Sequence, residues 1–151
     1  MALPSETPRL QELMSEVVHC CQDRTVFESR RFNLPQAEIK CLMLFSGVDR
    51  LTVTQVAQGL DVAKSRASHV LSKMAERGLV RFNTDPDDGR VKLVSLTERG
   101  MMIAKDIDAY ITKIHGAVLS RLDPEQRPMV ITSLELLKRA MDSVKGQLEE
   151  M

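Results

Sequence analysis

The sequence predicts a mostly α-helical chain that carries one small β-hairpin. Apolar residues recur at intervals of three and four along most of its length, as they do in amphipathic helices. Only residues 79–82 and 91–96 are short and β-branched enough to form strands. The loop between them, residues 83–90, is too long for a tight turn, and two helices joined by a brief turn precede the hairpin. This order of elements is a helix-turn-helix followed by a protruding wing.

The composition fits one globular unit. The 151 residues are 43% hydrophobic and 28% charged, which excludes a disordered tail. No apolar run approaches the roughly 20 residues that cross a bilayer, and the N-terminal segment lacks the charged and apolar regions of a signal peptide. We therefore expect a cytoplasmic protein. Its three cysteines, an odd number, are expected to be thiols rather than a disulfide framework.

Positive charge is concentrated in the middle of the chain. The whole sequence has 21 basic and 21 acidic residues, and a net charge of zero argues weakly against a nucleic-acid partner, because binding must offset phosphate charge. Residues 50–100, however, hold nine basic and six acidic residues, a net charge of +3, which leaves −3 for the remainder. The middle is therefore the part suited to nucleic acid.

Cap and breaker residues delimit the first two helices. Thr7 before Pro8 has the form of an N-cap followed by proline at the first helical position, and this helix is expected to run to about Arg31. Asn-Leu-Pro at residues 33–35 breaks it. A second helix follows and is closed by Ser-Gly at residues 46–47.

Two further helices form the helix-turn-helix. Thr52 can cap the third helix, and Asp61 lies in the turn that leads to the fourth. Gly78 supplies a left-handed stop for the fourth helix. The residues of the fourth helix that share one apolar stripe are Ala63, Ala67, Val70, Leu71 and Met74.

Two long helices complete the chain. Thr97 begins the fifth helix, and Glu98 is placed favourably in its first turn. The last helix follows Asp123-Pro124, but Pro128 would remove an interior hydrogen bond, so this helix is either kinked there or begins later. Its apolar residues step by four and three, which predicts a helix-to-helix seam that needs a partner. The seam consists of Val130, Leu134, Leu137, Met141, Val144, Leu148 and Met151.

Five blocks of sequence, in order, carry a family resemblance over nearly the whole chain. They are LTVTQVA at 51–57, VAKS at 62–65, RGLV at 77–80, DPDDGR at 85–90 and LTERG at 96–100. With these blocks the chain resembles the MarR family of bacterial winged-helix regulators. The resemblance implies a winged helix-turn-helix with N- and C-terminal dimerisation helices, and a homodimer that binds a pseudo-palindromic operator in double-stranded DNA. It also implies that Arg90 enters the minor groove while Asp88 orients it.

Physical chemistry supports a minor-groove role for Arg90 independently. A narrow, A·T-rich minor groove attracts a guanidinium group, and a carboxylate beside that group orients it beforehand. The alternative is an ordinary ion pair on a solvated loop.

Two residues depart from the family pattern. Asp61 replaces the usual turn glycine, and aspartate tolerates the left-handed conformation that this turn needs. Ala63 replaces the usual serine N-cap, which costs about 1 kcal/mol in helix stability.

The exposed face of the fourth helix is the candidate reader of the major groove. Its only clear acidic member is Glu76, near its end. Short side chains near a helix N-terminus can approach base edges, whereas long cations reach the phosphates. The residues expected to contact base edges or nearby phosphates are Ser65, Arg66, Ser68 and His69. The residues expected to contact phosphates are Lys64, Lys73 and Arg81. The alternative is an ordinary solvated helix face.

The three cysteines are candidates for an effector or redox site. In the MarR family, phenolic or other apolar ligands bind between the dimerisation helices and the winged domain, and one branch uses a reactive cysteine near the first helix. Cys20 and Cys21 lie on or beside the apolar stripe of the first helix, where small buried hydrophobes are the commoner interpretation. A redox switch would need a lowered thiol pKa, with His19, Arg24 or a residue across the dimer as the cause. Cys41 is the third candidate.

Metal binding is not expected, because consecutive residues 19–21 point in different directions around a helix and make a poor chelate. No cofactor is implied either. Three methionines near the expected ligand pocket, Met43, Met101 and Met102, suit a pliable apolar cavity, although core filling is their commoner role.

The function we predict is a sequence-specific DNA-binding transcriptional regulator. We expect a repressor that a small apolar ligand or cysteine oxidation releases. The alternative is a winged-helix module for protein interaction without DNA-binding activity. An enzyme is not expected, because the sequence has no glycine-rich phosphate loop and no nucleophile beside a base on a recognisable turn. Residues 1–151 form one MarR-like unit, with the winged part at 35–100 and the dimerisation helices at 7–32 and 101–151.

Overall fold

The computed structural model describes residues 1–150 and is mostly helical, with one small antiparallel sheet. Its elements are α1 Thr7–Phe32, α2 Gln36–Leu44, β1 Leu51–Thr52, α3 Val53–Leu60, α4 Lys64–Glu76, β2 Val80–Thr84, β3 Lys92–Leu96, α5 Glu98–Ser120 and α6 Gln126–Leu148. The chain divides into two units, residues 1–108 and a second unit from residue 109 onwards. No helix among the described residues is long and apolar enough to span a membrane. The predicted fold class is confirmed.

Helix α1 begins one residue earlier than predicted. Thr7 is its first residue and not its N-cap; the cap position belongs to Glu6, whose backbone is already helical (φ −80°, ψ −9°) and whose side chain makes no cap bond. The reason is that a turn precedes the helix, in which the Thr7 N–H donates to the Pro4 carbonyl at 3.1 Å. At the other end Asn33 adopts a left-handed φ of 51°, so the predicted break after α1 is confirmed.

The start of α3 shows the cap that the sequence predicts. The Thr52 hydroxyl accepts a bond from the Gln55 N–H at 3.1 Å, and the Thr52 N–H donates to the Gln55 side-chain oxygen at 2.8 Å. This reciprocal pair satisfies two free donors of the first turn. Asp61 ends α3 in the left-handed conformation (φ 55°), and Ala63 occupies the N-cap of α4 without a side-chain bond.

The turn that follows α4 leads into the wing. Gly78 has a φ of +72°, and the Leu79 N–H donates to the Met74 carbonyl at 2.9 Å, which closes the helix end. Strands β2 and β3 then pair, and β2 extends to Thr84, two residues beyond the predicted strand. A third strand, β1, was not predicted; it pairs with β3, so the sheet order is β1-β3-β2.

The apolar stripe of α4 is buried in the core of the first unit. Four of its five predicted members are buried, while Ala63 is exposed because it precedes the first helical turn. The largest fully buried side chains are Leu42, Leu71, Met74, Leu79, Ile107, Val56, Val94 and Cys41. Burial of whole leucine, valine or methionine side chains contributes about 1.5–3 kcal/mol each. The core therefore fixes which face of α4 points outward.

Helix α6, in the second unit, leaves its apolar seam uncovered. The helix begins at Gln126, which places Pro128 in the first turn, where its missing N–H is not needed. Of the two alternatives for Pro128, the later start is therefore correct. No residue of α6 is buried, and Leu134 and Met141 of the predicted seam are about half exposed. Met151, the last predicted seam member, lies outside the described residues.

Helix α1, in the first unit, also carries an uncovered apolar face. Its exposed large hydrophobic side chains are Leu10, Leu13, Val17, Val18, Val26 and Phe27. A helix this rich in uncovered apolar side chains is typical of an interface.

Candidate nucleic-acid interface

Helix α4 presents a polar and cationic face to solvent. All six of its predicted DNA-contacting side chains are exposed: Lys64, Ser65, Arg66, Ser68, His69 and Lys73. The first turn contains no acidic residue, and Glu76 is the last residue of the helix. The N-terminal part of this face is therefore favourable for a phosphate backbone.

The tip of the wing is an ordered loop built from aspartate-centred turns. One Asp85 carboxylate oxygen accepts a bond from the Asp87 N–H at 2.9 Å, and the Asp85 N–H donates to the Val91 carbonyl at 2.9 Å. The loop proper is shorter than predicted, because Asn83 and Thr84 belong to β2. Such side-chain-to-backbone bonds hold a turn without any strand pairing.

Asp88 holds Arg90 in the manner that the family resemblance implies. A single oxygen of Asp88 accepts bonds from the Arg90 backbone N–H at 3.1 Å and from Arg90 Nε at 3.3 Å. The Arg90 side chain is 93% exposed, so this ion pair adds little to stability. Its effect is to orient a guanidinium group that otherwise extends freely into solvent.

The wing and α4 together line one cleft. It has a volume of about 400 Å³, and Lys64 and Ser68 of α4 line it together with Arg90. Lys64 and Ser68 are one helical turn apart and so lie on the same side of α4. The structure thus brings three of the predicted DNA-contacting residues together.

Five lining residues of the cleft are not among the predicted DNA-contacting residues, and two of them are Thr54 and Lys92. Thr54 from the first turn of α3 and Lys92 from β3 also line it, and Lys92 Nζ lies 6.0 Å from the centre of the Phe82 ring. Lys92 could have been found, because it follows Arg90 by two residues and strand side chains alternate. Thr54 gives no such signal, since its position depends on how α3 packs.

Arg81 does not share this cleft. In the hairpin, Arg81 pairs with Ser95, whereas Phe82 pairs with the buried Val94. Neighbouring strand residues point to opposite faces, so Arg81 lies on the face of the hairpin that points away from the core. Its predicted phosphate contact therefore has to be made from outside the cleft.

A separate cavity lies between α2 and the first half of α5. Its volume is about 230 Å³, and Met43, Phe45 and Met101 line it with Lys105 and Asp108. Two of the three predicted pocket methionines are thus present, while Met102 is exposed and lies elsewhere. None of the three cysteines lines this cavity.

The cysteines differ in exposure. Cys20 and Cys21 are exposed, so the expectation that they are buried hydrophobes is wrong for the single chain. The reason is that residues 1–150 do not cover this face of α1. Arg24, a predicted pKa-lowering neighbour, instead pairs with Glu28 at 3.1 Å. Cys41 is fully buried, and burial, with the nearby Glu38 carboxylate, raises the pKa of its thiol to about 12.

Residues 1–150 contain no group of three or more histidine, cysteine, aspartate or glutamate side chains that could hold a metal ion.

Comparison with known proteins finds similarity to the MarR family in the winged part of the chain. Residues 32–91 match the sequence model of the MarR family. An uncharacterised HTH-type transcriptional regulator of Bacillus subtilis (strain 168), YfiV, is 25% identical to the chain over 146 residues, which cover 96% of this chain and 91% of YfiV. The chain is thus similar to the MarR family over residues 32–91 and to a transcriptional regulator over nearly its whole length.

Solved structures show the same similarity at the level of the fold. A MarR family protein from Bacillus stearothermophilus has a TM-score of 0.83 at 19% identity, covering 93% of this chain and 99% of that protein. FabT of Streptococcus pneumoniae, solved in complex with DNA, has a TM-score of 0.80 at 15% identity, covering 89% and 99%. These two likenesses show a shared fold.

Proposed function

We propose that this MarR-family chain acts as a cytoplasmic homodimer that binds a pseudo-palindromic operator and represses transcription. Residues 35–100 form the winged DNA-binding part, and residues 7–32 and 101–151 supply the dimerisation helices. The observation that carries the proposal is the cleft in which Lys64 and Ser68 of α4 meet Arg90 of the wing. A recognition helix beside an extended arginine fits a major groove and its adjacent minor groove.

Each named side chain has a proposed contact. Ser65, Arg66, Ser68 and His69 approach base edges or nearby phosphates, since they lie on the exposed face of the first two turns of α4. Arg90 enters the minor groove, oriented by Asp88. The proposed phosphate contacts are Lys64, Lys73 and Arg81.

Dimerisation is supported by the uncovered apolar faces of α1 and α6. Both helices expose residues that have the spacing of a packed helix face, and α6 has no buried residue at all within its own chain. Two copies would place two recognition helices about one turn of DNA apart, as a pseudo-palindromic site requires.

Release from DNA is proposed to follow binding of a small apolar ligand in the cavity between α2 and α5. The two methionines and Phe45 supply its apolar surface, and Lys105 and Asp108 supply polar contacts. Oxidation is the second proposed signal. Cys20 and Cys21 are the proposed sites of oxidation, because they are exposed. Cys41 is excluded from it by full burial and by its raised pKa.

Binding of the wild-type protein to DNA from its gene's own upstream region tests the proposed function. Because several cations replace counterions on the phosphates, we expect affinity to fall by about 1,000-fold or more between roughly 50 mM and 200 mM salt. Fluorescence anisotropy with a labelled upstream fragment measures this, and a shuffled fragment gives the non-specific affinity. Equal affinity for both fragments would contradict an operator-binding function.

Arg90→Ala should weaken operator binding without disturbing the fold. The side chain is 93% exposed, so its loss removes a DNA contact and no packing, with an expected cost of about 1–3 kcal/mol in binding free energy. Anisotropy titrations measure the affinity, and circular dichroism and gel filtration check fold and dimer. Arg139→Ala is the matched control, since it removes an exposed arginine of α6. An equal loss of affinity in both variants would show a general charge effect instead.

A further inference from the structure

A buried carboxylate connects α2 to the end of α4. The Glu38 side chain is only 4% exposed, and its Oε2 accepts a bond from Arg77 Nη1 at 2.9 Å. Arg77 is the C-cap residue of α4, directly before the left-handed Gly78. The bond therefore joins the middle of the core to the last turn of the recognition helix.

Only one of the two oxygens of the Glu38 carboxylate has a hydrogen-bond partner among residues 1–150. Its second oxygen, Oε1, is buried and has no hydrogen-bond partner within residues 1–150. The charged groups that face it are Arg77 and Lys73, both on α4, and the buried Cys41 thiol lies one turn along α2. A buried carboxylate with a single bonded oxygen costs stability.

We infer that Glu38 is a positioning residue for DNA recognition: through its bond to the partly exposed Arg77 it fixes the C-terminal end of α4, and the charge of its carboxylate sets how firmly that end is held. This inference rests on the proposed function, because it takes α4 to be the helix that reads the operator. Glu38 itself touches no DNA.

The two ends of α4 differ in how they are held. At the N-terminal end, Ala63 offers no side-chain cap bond. At the C-terminal end, the ion pair with Glu38 ties the helix to α2. Base contacts need side chains placed to within about 0.5 Å, so a helix with one uncapped end depends on the anchor at the other. An ion pair between the buried Glu38 and the partly exposed Arg77 adds little net stability, and its use here is to select one geometry.

The anchor should respond to pH. Burial raises the pKa of Glu38 above its usual 4.5, while Arg77 and then Lys73 act to lower it. Since the folded-state pKa is raised, the contribution of Glu38 to stability is fully present below the unfolded pKa and is lost as pH rises through the folded pKa. The ionised carboxylate that holds Arg77 most firmly is thus the form that stabilises the fold least.

The test compares Glu38→Gln with the wild type. Glutamine keeps the shape and can still accept a bond from Arg77, but it lacks the charge. We expect operator affinity to fall by about 3- to 10-fold at about pH 7.5, with non-specific affinity unchanged. As pH falls through the raised pKa of Glu38, the wild type should lose this advantage, because the carboxylate becomes protonated.

Glu28→Gln is the matched control. Glu28 is equally buried and pairs with an arginine, but Arg24 lies on the same helix, α1, so that pair does not reach α4. We expect this variant to bind operator as the wild type does. Parallel pH profiles for Glu38→Gln and the wild type would overturn the inference.

A second measurement does not depend on DNA. In the free protein, Glu38→Gln should increase amide hydrogen exchange at the last turn of α4, around Ala75 to Leu79, whereas Glu28→Gln should not. Unchanged exchange there would overturn the positioning role even if operator binding holds. If Glu38→Gln increases exchange but the wild type does not bind its operator, the contact between Glu38 and α4 is supported and the proposed DNA-binding function is rejected.

Discussion

Leu134→Glu should leave the chain helical but monomeric, and operator binding should be lost with the dimer. Leu134 is exposed in its own chain, so glutamate there breaks no internal packing. In the proposed dimer the same position lies within the α6 seam, where a buried carboxylate without a partner costs several kcal/mol. A monomer offers only one recognition helix and loses the effective concentration that links two half-sites, about 100-fold or more in affinity.

Gel filtration with light scattering at micromolar concentration gives the oligomeric state, and anisotropy with the upstream fragment gives the affinity. Leu136→Glu is the matched control, because Leu136 is on the same helix and is 57% exposed against 54% for Leu134. Two residues further along a helix, Leu136 points away from the seam. A monomer from Leu136→Glu as well, or a dimer from Leu134→Glu, would contradict the assigned seam.

The elements that the sequence could predict are those determined by local chemistry. The cap at Thr52, the break at Asn33 and the stop at Gly78 depend on residues within one turn, and all three are present. The buried stripe of α4 follows from helical periodicity alone. Thr7 failed as a cap because a preceding turn, invisible in the helix pattern, had already bonded its N–H.

Long-range pairing accounts for what the sequence could not predict. Strand β1 has two residues, too few for any alternation, and exists because β3 passes beside it. The bond from Glu38 to Arg77 joins residues 39 positions apart. Charged residues are seldom buried, so no pattern in α2 predicted that Glu38 would turn inward. The cleft residue Thr54 was missed for the same reason.

The same distinction between local chemistry and long-range packing applies to the candidate DNA interface. The exposed residues of α4 could be assigned from periodicity, and the order of Asp88 and Arg90 from the family resemblance. That Lys64 and Arg90 line one cleft, while Arg81 lies on the outer face of the hairpin, depends on how the wing is placed beside α4. The sequence therefore predicts which side chains are available, and the packing decides which of them act together.

Gly100→Ala should be the most destabilising substitution in the DNA-binding part. A Cβ at this position would lie 2.0 Å from the Leu79 carbonyl oxygen and 3.0 Å from its carbon, both of them backbone atoms. That same carbonyl accepts the Thr97 N–H at 3.0 Å, and the Thr97 hydroxyl caps Gly100 N–H at 3.0 Å. The start of α5 and the start of the wing would both have to move, at a cost of about 3–5 kcal/mol.

Gly116→Ala supplies the control on the same helix. Apart from the backbone of α5 itself, nothing among residues 1–150 lies within 4 Å of a Cβ added at Gly116. Alanine is also the better helix former, so this change should stabilise by about 0.5–1 kcal/mol. Urea unfolding followed by circular dichroism measures the free energy of unfolding of both variants. All samples have the same protein concentration, because the apparent stability of a dimer depends on concentration. Opposite signs for the two glycines are the expected result. A mild effect at Gly100 would mean that the contact between α5 and Leu79 yields easily, and that the wing is less firmly fixed to the core than its bonds indicate.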